Sequence, residues 1–252
     1  MANLGLIGKS LKHSFSKSYF ETKHGFNSIN SVHRYENYEL EDVFEIEGLL
    51  SRISVLEGFN VTIPFKTSIL PFLDQITTTA SEIGAVNVVK VKKSSNPKGH
   101  LLIGENTDHA AFTEALTPFL KQEYNQALIL GTGGGSLAAA YSLKCLDIPF
   151  RKVSRNPGQE NYLRYNELNA ETLSDITIII NTTPLGTWPD VDECPPIPYN
   201  LLRSGMVAFD MVYNPIETKF LRLAKESGAK VTNGLKMLEI QAELSLKFWG
   251  IE

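Results

Sequence analysis

The run Gly131-Thr132-Gly133-Gly134-Gly135 follows the apolar segment Ala127-Leu128-Ile129-Leu130 and leads into a stretch of small residues, Ser136 to Leu146. Gly131 and Gly133 stand at the first two positions of a G-x-G-x-x-G pattern, and Ser136 replaces the third glycine. A strand that turns tightly into a helix in this way brings backbone N–H groups and the helix N-terminus against a pyrophosphate, the chemistry of dinucleotide binding. A plain glycine-rich turn is the alternative, and the strand-then-helix context disfavours it. The stretch after the next strand is Arg151-Lys152-Val153-Ser154-Arg155-Asn156, with no Asp or Glu. An acid there would grip a ribose 2′-hydroxyl and repel a 2′-phosphate. Arg155 can instead clamp a phosphate, with Ser154 and Asn156 hydrogen-bonding beside it. NADP is the cofactor this pattern favours; a solvated surface Arg155 is the alternative. Two further clusters lie in the first half. His13-Ser14-Phe15-Ser16 offers two hydroxyls that could donate to a carboxylate, although in isolation serine capping of a helix is the favoured explanation. Asn60-Val61-Thr62-Ile63-Pro64-Phe65-Lys66 places Asn60, Thr62 and Lys66 at the C-terminal end of a strand, where open α/β sheets carry their sites, but it also reads as an ordinary turn. Gly8-Lys9-Ser10 lacks the upstream glycine of a P-loop, since Asn3 occupies that position. No GxSxG elbow occurs, and the histidines show no metal-ligand spacing.

The elements that must position these residues alternate along the chain. Strands are expected at Leu4–Ile7, Val32–Tyr38, Val55–Val61, Val86–Lys92 and His100–Gly104, the last two forming a pair around Ser94–Gly99. Apolar spacing predicts helices over Leu40–Ile53 and Asp108–Leu120. The second half predicts strands at Ala127–Leu130, Phe150–Ser154, Ile176–Ile180, Met206–Val212 and Lys230–Thr232, with helices over Ser136–Leu146, Glu217–Ser227 and Gly234–Trp249. Repeated strand–helix–strand units imply parallel sheets with right-handed crossovers, and two such runs, parted near Leu116–Gln126, imply two α/β domains.

Composition fits this architecture. The chain has 252 residues, 42% hydrophobic and 21% charged, enough to bury a sizeable core without staples. A net charge of -4 argues against nucleic acid as a partner. Cys145 and Cys194 form no CxxC pair, as expected of thiols in a reducing compartment. The apolar run at Met1–Gly8 is too short for a signal-peptide core, and no stretch is long enough to span a membrane, so a cytoplasmic protein with no membrane partner is expected.

Taken in order, these pieces resemble the shikimate dehydrogenase family over nearly the whole chain. The resemblance rests on His13-Ser14-Phe15-Ser16, Asn60–Lys66, Gly84-Ala85-Val86-Asn87, Gly104-Glu105-Asn106-Thr107-Asp108 and the glycine turn. It continues through Asn181-Thr182-Thr183-Pro184-Leu185-Gly186, Asp210-Met211-Val212-Tyr213 and Met237-Leu238 with Gln241-Ala242. It implies an N-terminal α/β substrate domain, residues 1–106 completed by 236–252, and a Rossmann-type NADP domain, residues 107–235. The substrate would lie between them. Ser14 and Ser16 would bind the substrate carboxylate, and Asn60, Thr62, Asn87, Tyr213 and Gln241 would hold the ring hydroxyls and neighbouring groups. Lys66 and Asp108 would be the catalytic pair. Gly131, Thr132, Gly133, Gly134, Gly135, Ser154, Arg155 and Asn156 would hold NADP, with Thr183, Met211 and Gly234 near the nicotinamide.

The implied reaction is reversible hydride transfer between NADPH and the ketone of 3-dehydroshikimate, giving shikimate, with no metal, in a monomer or homodimer. Against the family pattern, Lys17 replaces a proline, Val88 a threonine and His109 a glycine. The second loop reads Ser154-Arg155-Asn156 and lacks a following basic residue. A quinate/shikimate dehydrogenase of relaxed specificity is the nearest alternative. A non-catalytic ligand sensor is a second, and its mark would be loss of Lys66 or Asp108, both of which are present.

Overall fold

The computed structural model describes residues 2–12, 14–53, 55–121, 126–156 and 162–251. The chain divides into two compact units, Met1–Thr107 with Gln241–Glu252, and Asp108–Ile240.

The first unit is built on a six-stranded sheet. Its elements are β1 (Ala2–Gly8), α1 (Ser16–His24), β2 (His33–Glu39), α2 (Ile46–Arg52), β3 (Leu56–Val61), α3 (Phe65–Ser68), β4 (Gln75–Ile76), α4 (Thr78–Ile83), β5 (Val88–Lys93) and β6 (His100–Glu105). The strand order is β2-β1-β3-β5-β6-β4. β1 pairs in parallel with β2 and β3, but β5 runs antiparallel to both β3 and β6. The strand pair expected around Ser94–Gly99 is thus present as an antiparallel hairpin, and the parallel pairing expected of strand–helix–strand units holds for β1 with β2 and β3 and for β4 with β6. The short connection Ser94–Gly99, whose Ser94 N–H donates to Gly99 O at 3.0 Å, can only return the chain as a hairpin. The expected helix at Leu40–Ile53 is also shorter. Asp42 caps a turn of 3₁₀ helix at Val43–Glu45 before α2 begins, accepting from Phe44 N at 3.0 Å.

Period-two alternation splits the core of this unit between the two faces of the sheet. Ile7, Phe59, Val61 and Val89 join Ile46, Leu49 and Leu50 of α2 in one buried cluster. Leu4, Leu6, Tyr35 and Val88 join Tyr19 and Phe20 of α1 with Ala242, Leu246 and Trp249 in the other. Gly58 admits the Trp249 indole, which a Cβ at that position would overlap, and Trp249 Nε1 donates to Val89 O at 2.9 Å.

The second unit carries α5 (Asp108–Leu116), β7 (Ala127–Leu130), α6 (Gly134–Cys145), β8 (Phe150–Val153), β9 (Tyr162–Leu163), β10 (Ile178–Asn181), β11 (Val207–Asp210), α7 (Lys219–Glu226) and β12 (Lys230–Thr232). The last helix, α8 (Leu235–Trp249), supplies its first residues to this unit and its later ones to the first unit. All six strands pair in parallel in the order β12-β11-β10-β7-β8-β9. Counted from β7, that is the doubly wound order 3-2-1-4-5-6 of dinucleotide-binding sheets, whose crevice opens where the order reverses, between β7 and β10. Strands β7, β10 and β11 are buried throughout, as expected of a sheet covered on both faces. Helix α7 starts at Lys219 because the Thr218 hydroxyl caps it, accepting from Leu221 N at 3.3 Å.

Among the described residues, no helix is long and apolar enough to cross a membrane.

Candidate functional site

Asn60 lies near the end of β3, Asn87 immediately before β5, and Gln241 on α8; all three are buried polar side chains of the first unit. Buried amides demand partners, and these find one another. Asn87 Nδ2 donates to Thr107 Oγ1 at 3.0 Å and to Gln241 Oε1 at 3.4 Å, while Asn87 Oδ1 accepts from Thr107 N at 2.7 Å. Thr107 Oγ1 donates to Gln241 O at 3.3 Å. Asn60 Nδ2 donates to Asn87 O at 3.2 Å and to Ser245 Oγ at 2.9 Å, and Asn60 Oδ1 accepts from the Tyr35 hydroxyl at 2.8 Å. Burial pushes the Tyr35 phenol far above its ordinary pKa, and the nearby Ser16 hydroxyl offsets part of that rise. One polar network thus runs from Ser16 through Tyr35 and Asn60 to Asn87 and Gln241.

Ser16 is the first residue of α1 and is buried; Ser14 is half-buried, with its N–H on Leu11 O at 2.9 Å. The helix-capping alternative for these serines is not what is found: Phe15 holds the N-cap position of α1, and no side chain caps that end. His13 lies outside the described residues. Thr62 continues from β3, its N–H donating to Ile7 O at 2.9 Å, and Lys66 lies on α3 with its carbonyl accepting from Val86 N at 2.8 Å. Helix α8, which carries Gln241, is tied to α1 through Glu243. Its carboxylate accepts from Tyr19 Oη at 2.7 Å and pairs with Lys23 at 3.0 Å and His24 at 2.9 Å. Burial pushes the Glu243 carboxyl up, but the hydrogen bonds from Tyr19, Lys23 and His24 together outweigh it and hold the carboxyl down at about 2.

In the second unit Asp108 opens α5 and is buried. The glycine turn follows β7 and α6 starts at Gly134, two residues before the expected Ser136. Gly131 adopts φ +113°, and a Cβ there would lie 2.6 Å from Thr182 Oγ1, so only glycine serves. Gly133 occupies the N-cap position of α6 without a side-chain cap, leaving the N–H groups of the first turn directed outward. The residue following Thr182, Thr183, is held by Asn181: Thr183 N and Oγ1 donate to Asn181 Oδ1 at 3.0 and 2.6 Å. Asn181 Nδ2 in turn donates to Asp210 Oδ1 at 2.9 Å. Asp210 is fully buried at the end of β11 and also accepts from Val212 N at 3.0 Å and Thr218 Oγ1 at 2.5 Å. Burial pushes its carboxyl up to about 7, against the pull of those three donors.

Met211 N donates to Asn181 O at 2.9 Å, and Gly234 lies so close to the Met211 carbonyl that any side chain would collide with it. Tyr213 is half-buried in the same segment. After β8, Ser154 Oγ accepts from Asn156 N at 3.1 Å in a tight turn that leaves Arg155 exposed, and among the described residues of this turn, 154–156, there is no acid. Thr132 and Gly133 are exposed, and Gly134 and Gly135 are half-buried.

Each unit therefore gathers its own set: Ser16, Asn60, Asn87 and Gln241 in one, and the glycine turn, Thr183, Met211 and Gly234 in the other. Sequence reasoning missed Tyr35, Ser245, Glu243 and the structural role of Asp210. None carries a spacing signal: Tyr35, Ser245 and Glu243 act through partners distant in the chain, and Asp210 through donors from three different segments.

A family model for the shikimate dehydrogenase substrate-binding domain matches residues 6–89. A relative from Methanococcus vannielii, a shikimate dehydrogenase (NADP(+)), is 34% identical over 98% of this chain and 90% of its own length. Another of the same name from Clostridium botulinum is 34% identical over 99% of this chain and 96% of its own. The solved structure of shikimate 5-dehydrogenase from Thermus thermophilus, in complex with NADP(H) and shikimate, superposes with a TM-score of 0.81. It is 30% identical, covering 99% of this chain and 93% of that one. With whole-chain relatives at this identity, and the sheet order and buried amide set already described, the chain belongs to the shikimate dehydrogenase family.

Proposed function

We propose that this chain catalyses the reversible, NADP-dependent reduction of 3-dehydroshikimate to shikimate, in the cytoplasm, as a monomer or homodimer. The observation that carries the reading is the pairing of two separate constellations in one chain. The first unit has a buried hydroxyl-and-amide network suited to a polyhydroxylated acid. The second has a 3-2-1-4-5-6 parallel sheet with a glycine turn at its switch point.

The second-unit residues fit an NADP molecule. The Gly131–Gly135 backbone and the α6 N-terminus would receive the pyrophosphate, and Arg155, with Ser154 and Asn156, the 2′-phosphate. Thr183, Met211 and Gly234 would border the nicotinamide. When bound, the cofactor supplies or accepts the hydride. The chain's own residues do the rest. Ser14 and Ser16 donate to the substrate carboxylate. Asn60, Thr62, Asn87, Tyr213 and Gln241 orient the ring. During reduction, negative charge grows on the ketone oxygen, and the Lys66 ammonium stabilises it and delivers the proton. Asp108 is the second member of the catalytic pair in this reading. In this reading residues 1–106 with 236–252 form the substrate domain and 107–235 the cofactor domain.

The direct test follows NADPH absorbance with NADP and either shikimate or quinate. A rise with shikimate is expected; a flat trace overturns the proposal, and an equal rate with quinate would broaden the substrate class. In the same assay Lys66→Ala should lower kcat by about 10²–10⁴, as for loss of a positioned acid or base, with little change in KM. Near-normal kcat in that variant removes Lys66 from the mechanism.

A further inference from the structure

We propose that Tyr35 and Ser245 are specificity-determining positioning residues: with the Asn87 carbonyl they hold the Asn60 side chain as a pure hydrogen-bond acceptor, so the substrate group it reads must be a hydroxyl that donates. The inference rests on the reading of Asn60 as a substrate residue and adds what kind of group that residue accepts.

A carboxamide has two N–H donors and two acceptor lone pairs. Both donors of Asn60 are committed, one to Ser245 Oγ at 2.9 Å and one to Asn87 O at 3.2 Å. One lone pair of Oδ1 accepts from Tyr35 Oη at 2.8 Å. A single lone pair on Oδ1 remains. The amide cannot turn over, because the Asn87 carbonyl only accepts and would then face Oδ1.

Each neighbour is itself held in its role. Ser245 has one proton and gives it to Gln241 O at 2.8 Å, so toward Asn60 its oxygen can only accept. Tyr35 is fully buried, and burial keeps its phenol protonated at any working pH, so it donates to Asn60. The proton directions therefore run one way, from Tyr35 to Asn60 Oδ1 and from Asn60 Nδ2 through Ser245 to Gln241. Asn60 and Ser245 are both buried, so a ketone, ether or fluorine opposite Oδ1 would leave two acceptors facing each other with no water to relieve them. Tyr35 also ties this subsite to the carboxylate end of the substrate, since the Ser16 hydroxyl is its other polar neighbour.

The test has two arms. With the wild-type enzyme, kcat/KM is measured for shikimate and for analogues in which each non-reacting ring hydroxyl is singly replaced by fluorine, which is of similar size but carries no proton. One analogue should lose about 10²-fold or more, as expected when a site built for a hydroxyl is denied it. Equal acceptance of all analogues overturns the acceptor-only assignment. In the second arm Tyr35→Phe and Ser245→Ala should each raise the shikimate KM by about 3–10-fold, the worth of one buried hydrogen bond, while the NADP KM stays within about two-fold. Asn60→Ala separates the two ideas. If it raises the shikimate KM while Tyr35→Phe and Ser245→Ala do not, the positioning role fails and the site reading stands. If Asn60→Ala leaves KM unchanged, the reading of Asn60 fails and this inference with it.

Discussion

Replacing Asp210 by asparagine turns a buried charge into a measurable slope. Its carboxyl is fully buried at the end of β11, where burial lifts it to about 7. In the unfolded chain an aspartate titrates near about 3.9. Between roughly pH 4 and pH 7 the native state therefore keeps a proton that the unfolded state has lost. Stability is fully present on the acid side of that window and falls as pH rises through 7. One pH unit is worth about 1.4 kcal/mol, so the drop between about pH 5 and pH 7 comes to about 2–3 kcal/mol. Asp210→Asn cannot ionise. The pH-independent cost of setting an amide N–H against the donors of Asn181, Val212 and Thr218 cancels when only slopes are compared. The assay is urea unfolding of both proteins across about pH 5 to pH 8. The stability of the wild type relative to Asp210→Asn should decline by about 2–3 kcal/mol over that range and flatten above pH 7. A flat difference refutes the reasoning: it would mean that three convergent donors outweigh burial and keep the carboxylate ionised throughout.

Two further outcomes follow from single contacts. Arg155→Ala should weaken NADP far more than NAD in steady-state KM measurements, because the guanidinium is the charge available to a 2′-phosphate at the end of β8; equal losses for both cofactors would show that Arg155 does not read that phosphate. Gly58→Ala should cost about 2–4 kcal/mol in urea melts, since its Cβ overlaps the Trp249 indole and breaks the bond from Trp249 Nε1 to Val89 O. A cost below about 0.5 kcal/mol would mean that α8 shifts away without penalty.

The second unit was readable almost strand by strand because its constraints are local. A strand buried on both faces must be apolar throughout, and Ile178-Ile179-Ile180 is. A turn at φ +113° must be glycine, and Gly131 is. The first unit was less readable for an equally physical reason. The β5–β6 hairpin is announced by the turn-rich Ser94–Gly99, but the antiparallel placement of β5 beside β3, in a sheet whose other connections suggest parallel pairs, is a long-range pairing that leaves no local signal. The helix expected from Leu40 begins late because Asp42 competes for the backbone as a cap, which apolar spacing does not register.

The site divides along the same line. Residues whose type announces a role, such as the glycines, Lys66 and Arg155, could be singled out from the sequence. Tyr35 and Ser245 could not, and Asp210 stood within a motif without any sign of its own role, because what these residues do is a property of pairs. Ser245 contacts Asn60 across 185 positions of sequence, and Tyr35 reaches the same amide across 25. In isolation a buried tyrosine on β2 and a serine on α8 are ordinary packing residues, and alternation or helical spacing assigns them to the core. Only when Asn60 is seen to have three of its four hydrogen-bonding directions occupied does the fourth acquire a polarity. An asparagine that could donate or accept would tolerate a hydroxyl or a ketone alike; one held as an acceptor distinguishes them. On this view discrimination among closely related ring acids depends on residues behind the binding surface as much as on those that form it. A substitution at Ser245 or Tyr35 is then a route to altered specificity that leaves every proposed substrate-contacting residue in place.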